Sequence, residues 1–301
     1  MPSAKKSSLI KAKEKKNDEF YTQLTDIEKE LVHYRHHFKD AVVFCNCDDP
    51  EWSNFWKYFH LNFEFLGLKK LITTHYDPTE PTYKMEYEGG NDADITAGTI
   101  TPLKTNGDFR SPECIELLKE ATIICTNPPF SIAREFYPQL IEYQKKFIII
   151  GDLNWITYKN IFPLLRDNKM WLGYNPVKEF KQPDGTIKKF GNKLWYTNLD
   201  IDKRHEDLDL IEHYSPEKYI KYENYDAIEV SKVLNIPVDY DGVMGVPISF
   251  LDKYCPEQFE ILGISGDLAK PLVIDGKRKS GRFYINGKRM YDRIVIRRGK
   301  G

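Results

Sequence analysis

Short apolar runs rich in valine and isoleucine alternate with helix-like segments along residues 24–174 of this chain. The apolar runs predict strands at residues 41–45, 70–76, 121–126, 146–150 and 170–174. The segments between them predict helices at residues 24–38, 52–65, 111–119, 136–143 and 158–166. This alternation favours an α/β fold with a mostly parallel sheet. Residues 78–107, rich in Gly, Thr and Asp, predict irregular structure.

The chain past residue 180 follows a different pattern. Pro183-Asp184-Gly185 predicts a hairpin tip with a return strand at residues 192–198. Beyond residue 210, short strand-like pieces at residues 245–250, 259–262 and 282–285 replace the alternation. We therefore expect a disordered basic tail at residues 1–16, a main domain at residues 17–210 and a smaller region at residues 211–301.

Composition is typical of an intracellular enzyme. With 301 residues, 41% of them hydrophobic, the chain can bury one large core and support a smaller attached domain. No apolar run approaches the length of a membrane span, and no apolar segment follows the Lys-rich N-terminus, which argues against a signal peptide. Five cysteines are an odd number in a large chain and favour reduced thiols. We expect a monomeric, cytoplasmic protein.

The net charge of −1 hides two strongly basic segments. Residues 1–16 carry six lysines and one glutamate, and residues 277–301 carry ten Lys or Arg against the single acid Asp292. Such segments predict contacts with phosphates, although terminal basic runs are also often solvated tails.

The segment Asn127-Pro128-Pro129-Phe130 directly follows a buried-type strand. Two successive prolines fix an extended backbone that has few local donors. The Asn127 side-chain oxygen and the Pro128 carbonyl can then accept both hydrogens of one planar amino group, while Phe130 offers a flat surface on which a base can stack. These four residues are our candidates for catalysis. The alternative is that the prolines simply end a strand.

The turn after the first long strand is where a nucleotide-like cofactor binds in a doubly wound fold. Here the turn reads Cys45-Asn46-Cys47-Asp48-Asp49, without the usual Gly-rich loop. The small Cys45 and Asn46 side chains allow close approach, and Asp48 or Asp49 can hold an amino group.

Five further residues are candidates for the same cofactor site. Asp77, at the end of the second strand, can accept hydrogen bonds from ribose hydroxyls. Asp108 and Phe109 can bind and sandwich an adenine, and Phe20 and Tyr21 can close over the other end of the cofactor. Each acid can instead be a helix cap or a solvated turn residue. A metal site at Cys45 and Cys47 is not expected, because no second ligand pair has suitable spacing.

The sequence resembles the EcoRI-type adenine-specific DNA methyltransferases of restriction–modification systems. The resemblance extends from about residue 16 to residue 298. It is carried by the motifs at residues 17–23, 45–50, 107–111, 126–130, 191–198 and 240–250. It implies a Rossmann-like class I methyltransferase sheet, S-adenosylmethionine as cofactor, and methylation of adenine N6 in double-stranded DNA. It also implies a modification enzyme or an orphan or phage homologue, with a C-terminal target-recognition region.

Methylation of a base in a duplex requires the base to leave the stack, so a second region must grip the DNA. Lys218 and Lys221 lie in a segment that interleaves basic and aromatic residues. Further candidates for DNA binding follow at Arg282, Lys288, Arg289 and Arg293. Asn-Gly at residues 286–287 predicts a hairpin, on whose second strand Arg289, Tyr291 and Arg293 share one face. The alternative is a charged face that only solubilises an edge hairpin.

Two other functions remain open at the level of the sequence. The same loop chemistry serves methyltransferases acting on RNA adenine or on a protein glutamine amide. A catalytically silent DNA-binding homologue is the alternative from another class, because the cofactor turn lacks glycines.

Overall fold

The computed structural model describes residues 21–77, 81–182, 185–279 and 281–299. These residues form two compact units. The first comprises the described residues up to Ile161 together with Leu172–Leu199, and the second comprises Phe162–Trp171 and the described residues from Asp200 onward. The predicted basic tail, Phe20 and most of the predicted hairpin tip lie outside the described residues.

One large mixed sheet organises the first unit. Its strands are β1 (Tyr21–Thr22), β2 (Val42–Cys45), β3 (Lys70–Thr74), β4 (Tyr83–Tyr87), β5 (Thr99–Pro102), β6 (Ile123–Thr126), β7 (Lys146–Asp152), β8 (Trp171–Lys181) and β9 (Ile187–Thr197). They lie in the order β1-β8-β9-β7-β6-β2-β3-β4-β5. The α/β class expected from the alternation of strands and helices is confirmed.

The expectation of a mostly parallel sheet is wrong. Only the four central strands β7, β6, β2 and β3 run parallel to one another. The strands β4 and β5 on one side, and β9 and β1 on the other, pair antiparallel with a neighbour. Only eight residues separate β3 from β4, fewer than the dozen or more that a crossover between parallel strands needs, and so short a connection joins antiparallel neighbours. Residues 78–107, expected to be irregular, therefore contribute two strands.

Six α-helices accompany this sheet in the described part of the first unit. They are α1 (Leu24–Leu31), α2 (Arg35–Phe38), α3 (Asn54–Leu61), α4 (Phe63–Leu66), α5 (Pro112–Glu120) and α6 (Ala133–Glu142). The predicted helix at 52–65 is divided at Asn62, which caps α3. Ser53 begins α3 by accepting the N–H of Phe55, and Ser111 begins α5 by accepting the N–H of Cys114.

The second unit contains a four-stranded sheet. Its elements are α7 (Phe162–Arg166), β10 (Ile228–Glu229), β11 (Met244–Pro247), β12 (Phe259–Ile264), α8 (Ser265–Leu268), β13 (Leu272–Ile274), β14 (Lys277–Lys279), β15 (Tyr284–Ile285), β16 (Lys288–Arg289) and β17 (Arg293–Arg298). The sheet has the order β10-β11-β17-β12. The helix predicted at 158–166 is shorter than expected, because a 3-10 turn at Leu153–Thr157 and a bend precede α7.

Two small hairpins, β13–β14 and β15–β16, stand apart from this sheet. Asn286 and Gly287 join β15 to β16 with φ of 49° and 68°. Two successive positive φ values are those of the type I′ turn that Asn-Gly favours. The hairpin predicted at this dipeptide is confirmed. No helix among the described residues has the length and apolar character needed to cross a membrane.

Candidate active site

A cavity opens in the first unit where the parallel strands β2, β3 and β6 end. Carboxyl ends of parallel strands meet at one edge of a sheet, which is where α/β folds place their ligands. The segments after these strands line the cavity together with the segment that precedes α5. The lining side chains are those of Tyr21, Asn46, Cys47, Asp48, Asp49, Thr74, Tyr76, Asp108, Phe109, Arg110, Asn127, Pro128, Pro129, Phe130, Ser131 and Ile132.

The candidate catalytic residues Asn127, Pro128, Pro129 and Phe130 all line this cavity. Asn127 follows β6 immediately and is 9% exposed. Phe130 begins a 3-10 turn at Phe130–Ile132, after an extended backbone at Pro129. The whole motif thus lies at one cavity, and its role in catalysis stays a prediction.

Asp48 anchors the Asn-Pro-Pro-Phe loop to the turn after β2. Its Oδ2 accepts the backbone N–H of Asn127 at 3.1 Å and the hydroxyl of Thr126. Its Oδ1 accepts the hydroxyl of Ser53 at 2.9 Å, which connects the carboxylate to the start of α3. Burial raises the pKa of Asp48 to about 6, although these three donors act in the opposite direction. Both oxygens are thus engaged by the chain itself, and the expected role of Asp48 or Asp49 toward an amino group stays a prediction.

The other residues of the turn after β2 divide into two groups. Cys45, expected at the cofactor, is fully buried and does not line the cavity, because it is the last residue of a strand that is buried throughout. Asn46 and Cys47 line it instead. The Asn46 side chain is 3% exposed, and its Oδ1 has no hydrogen-bond partner among the described residues. A buried amide oxygen without a partner is costly, so Asn46 favours a ligand with a donor at this position.

The acids at the cavity rim have partners of their own. Oδ2 of Asp49 lies 2.5 Å from Nδ1 of His75, and its Oδ1 accepts the backbone N–H of Glu51.

Asp77 does not line the cavity, because β3 ends at Thr74, earlier than predicted. Thr74 and Tyr76 take that place in the lining. Asp77 was expected at the cofactor site, but the structure places Thr74 and Tyr76 at the cavity instead.

Asp108 and Phe109 line the cavity as predicted. The Arg110 guanidinium donates two hydrogen bonds to Asp108, at 2.8 and 2.7 Å, and a third to Glu135 on α6 at 2.5 Å. Phe109 packs edge-on against Phe136 with ring centroids 5.4 Å apart. The segment is thus fixed by α6, and the Asp108 carboxylate is held at the cavity by Arg110.

Several lining residues were missed by the sequence analysis, among them Thr74, Tyr76 and Arg110. Thr74 ends a predicted strand, so its position was a usable signal. Tyr21 lines the cavity as expected, whereas Phe20 is outside the described residues. No cluster of His, Cys, Asp or Glu suited to a metal ion occurs in the described ranges.

Comparison with models of known protein families identifies the family of this chain. The family model described as "Adenine-specific methyltransferase EcoRI" matches residues 8–299. The chain belongs to this family. The resemblance stated from the sequence motifs is therefore confirmed, and the chain is an adenine-specific methyltransferase.

Named relatives of this EcoRI-family methyltransferase include three type II methyltransferases. M.EcoRI of Escherichia coli is 47% identical, over 94% of this chain and 97% of the relative. M.MpnI of Mycoplasma pneumoniae is 36% identical, over 95% and 97% of the two chains. M.MgeORF184P of Mycoplasma genitalium is 35% identical, over 96% and 98%. No solved structure matches the chain.

Most candidate DNA-binding cations of the methyltransferase already have an acidic partner. Lys218 pairs with Glu212, Lys221 with Asp226, and Arg282 with Asp292 at 3.2 Å. Lys288 and Arg289 are exposed on β16 and have no carboxylate partner in the described part of the chain.

Arg293 does not share a hairpin face with Arg289, so this prediction is wrong. The strand β16 ends at Arg289, and Arg293 begins β17 in the four-stranded sheet. Arg293 is 8% exposed and donates to both carboxylate oxygens of Glu229, at distances of 2.6 to 3.1 Å. Its guanidinium thus forms a buried ion pair. Tyr291, the third residue of the predicted face, is 85% exposed and lies outside any regular strand.

Proposed function

We propose that this methyltransferase transfers a methyl group from S-adenosylmethionine to N6 of an adenine flipped out of double-stranded DNA. The observation that carries the proposal is a shared cavity. The Asn-Pro-Pro-Phe loop lines it together with Asp108 and with Asn46, whose buried Oδ1 lacks a partner. One cavity can thus hold a target amino group beside a cofactor.

The residues present fit S-adenosylmethionine, which supplies an electrophilic methyl group when bound. Asp108 would accept the amino group of its adenine, and Phe109 would give that ring an apolar contact. Asn46 would accept a donor through Oδ1, and Asp49 would hold the amino group of the methionine end, with Tyr21 closing over it. A ribose contact from Asp77 remains a proposal, with Thr74 and Tyr76 as the residues actually at the lining.

The target adenine would be oriented by the catalytic loop. The Asn127 side-chain oxygen and the Pro128 carbonyl would accept the two N6 hydrogens, which turns the nitrogen lone pair toward the incoming methyl group. Acceptors fixed in advance in a site shielded from water are worth more than the same groups in water. Phe130 would stack on the base, and Asp48 would keep Asn127 in place through its backbone N–H.

We further propose that the first unit is a Rossmann-like class I methyltransferase domain and that the second unit contains the target-recognition region. The parallel centre of the sheet and a cavity at its carboxyl edge support the first assignment. Lys288 and Arg289 of the second unit, which have no carboxylate partner among the described residues, support the assignment of the target-recognition region. Kinship to type II methyltransferases favours the modification half of a restriction–modification system, or an orphan or phage homologue.

Methylation-sensitive sequencing of DNA from cells that express the chain tests this function and reads the target site together. We expect N6-methyladenine at one short sequence. Unmethylated DNA, together with undetectable S-adenosylmethionine binding by calorimetry, would instead indicate a silent DNA-binding homologue.

Asp108→Ala is expected to raise the Kd for S-adenosylmethionine about ten- to a hundredfold, because it deletes an acceptor for the cofactor's adenine amino group. Calorimetry measures this directly. Glu135→Ala is the matched control, since it also removes a partner of Arg110 but leaves the Asp108 carboxylate in the cavity. Its Kd should stay close to that of the wild type. An unchanged Kd in Asp108→Ala would move the adenine subsite to other residues.

DNA contact is proposed for the two hairpins of the second unit. Besides Lys288 and Arg289, the strand β14 carries Lys277, Arg278 and Lys279, again without carboxylate partners among the described residues. Asn224, 6% exposed, ties the hairpins together at their bases. Its Nδ2 donates to the carbonyls of Lys270 and Arg282, each at 2.8 Å, and its Oδ1 accepts the N–H of Tyr284. Asn224 thus holds the chain where each of the two cation-bearing hairpins begins.

The double variant Lys288→Ala/Arg289→Ala should weaken DNA binding and flatten its salt dependence. Each lost phosphate contact should reduce the slope of log K against log salt by about 0.9. The loss should be similar on cognate and non-cognate duplexes, because phosphate contacts carry no sequence information. Lys119→Ala/Lys146→Ala is the control, since Lys146 lies at the amino end of β7, away from the cavity edge. An unaltered slope would remove β16 from the DNA interface, and a loss confined to the cognate site would make these residues base readers.

A further inference from the structure

A buried lysine lies against the aromatic residue of the catalytic loop. Lys193 on β9 is 4% exposed, and its Nζ is 3.7 Å from the centroid of the Phe130 ring. The same nitrogen is 2.6 Å from Oδ2 of Asp152, at the end of β7. The neighbouring strands β7 and β9 thus bring an ion pair to the ring that is proposed to stack on the target adenine.

Asp152 is itself firmly held. Its Oδ2 also accepts the Asn192 side-chain amide at 2.9 Å, and its Oδ1 accepts the N–H of Asn154 at 2.8 Å. Its backbone carbonyl accepts the hydroxyl of Tyr196. The carboxylate cannot follow Lys193 without breaking these bonds, so the position of the ammonium is fixed by the sheet.

The surroundings of Phe130 explain why a cation is used here. Trp155, Phe180 and Phe190 meet the Phe130 ring at steep angles, with centroids 6.2 to 6.3 Å away. Such contacts pack around the ring, and the Lys193 ammonium lies over one of its faces. An ammonium prefers to lie over an aromatic face, so Lys193 occupies one face and resists rotation of the ring. A buried ion pair contributes little stability compared with apolar side chains of the same size, which points to a role in geometry.

We propose that Lys193, fixed by Asp152, is a positioning residue that holds the Phe130 ring in the orientation in which it stacks on the target adenine. This inference rests on the proposed function, because it assumes that Phe130 stacks on the base. It assigns a role to a residue of the strand β9, which contributes nothing to the lining of the cavity among the residues described.

The test compares Lys193→Met, which keeps the length of the side chain but loses the charge, with Lys193→Arg, which keeps a cation. We expect Lys193→Met to lower single-turnover methylation about 2- to 30-fold, the range that a cation over an aromatic ring spans. Lys193→Arg should recover most of this loss. The fluorescence of 2-aminopurine at the target position should report weaker stacking of the flipped base in Lys193→Met, with an unchanged Kd for S-adenosylmethionine.

A double-mutant cycle shows whether the effect passes through the ring. In a Phe130→Leu background, Lys193→Met should change the rate by less than about 2-fold, because no aromatic face remains for the ammonium. Equal losses in both backgrounds, or a wild-type rate and fluorescence in Lys193→Met, would overturn the proposal. Asp152→Asn provides a second variant with the same expected signature if Lys193→Met does not fold. A wild-type chain that fails to methylate the duplex would remove the proposed function itself, which distinguishes the two failures.

Discussion

Asn127→Ala is expected to lower kcat about 100- to 1,000-fold while changing the affinity for S-adenosylmethionine far less. The loss of one fixed acceptor for the reacting group in a site shielded from water costs about 2.7–4 kcal/mol of transition-state stabilisation. The Asn127 side chain lies in the cavity next to Pro128, which would supply the second acceptor. Single-turnover methylation of a cognate duplex measures the change.

The backbone of residue 127 should keep its position in this variant, because the hydrogen bond from its N–H to the Asp48 carboxylate does not involve the side chain. Melting temperature and cofactor affinity therefore serve as controls for an intact loop. Asn127→Asp keeps a side-chain oxygen acceptor and should retain more activity than Asn127→Ala. Turnover like that of the wild type in Asn127→Ala would exclude Asn127 from the mechanism.

Asp48 is expected to make the free energy of unfolding fall by about 3 kcal/mol between about pH 4 and pH 6. Burial raises its folded-state pKa from the ordinary value of 3.8 to about 6, so the folded chain binds this proton more tightly than the unfolded chain. The stabilisation is complete below about pH 4 and is lost as the pH rises toward 6. Chemical denaturation across this range measures the change.

Other carboxyl groups titrate in the same window, so the comparison must be made with Asp48→Asn. Several of them, including Glu86 and Glu113, have a lowered pKa and therefore add stability as the pH rises. Subtracting the two pH profiles isolates Asp48. A difference that does not vary with pH would mean that the carboxylate titrates normally and does not sit in a desolvated position beside Asn127.

The parallel centre of the sheet and the position of the Asn-Pro-Pro-Phe loop after β6 could be predicted, because both depend on contiguous residues. The apolar runs that became β2, β6 and β7 are buried along almost their whole length, which gives an unambiguous pattern. The antiparallel strands at the edges of the sheet were harder to predict. The strand β5 is exposed throughout, so nothing in its composition separates it from a loop.

Partners distant in the sequence could not be predicted in the same way. A carboxylate at the turn after β2 was expected, but its bonds to Thr126 and Asn127 join residues that lie 78 and 79 positions away. Arg293 is similar, since its partner Glu229 lies 64 positions away. A sequence pattern shows that a charge is present but not whether the fold has already neutralised it.

The segment Phe162–Trp171 belongs to the second unit although the chain returns to the first unit after it, which limits how chimeras between relatives can be built. The helix α7 packs against β12, and the Arg204 guanidinium lies 3.7 Å from the Trp171 ring. A C-terminal fragment that starts at residue 200 would lack these partners and expose the apolar surface that Phe162 and Leu165 bury. Exchanging the C-terminal part between relatives by a single crossover at residue 200 should therefore give poorly folded chimeras. Grafts that transfer Phe162–Trp171 together with the residues from Asp200 onward should remain stable.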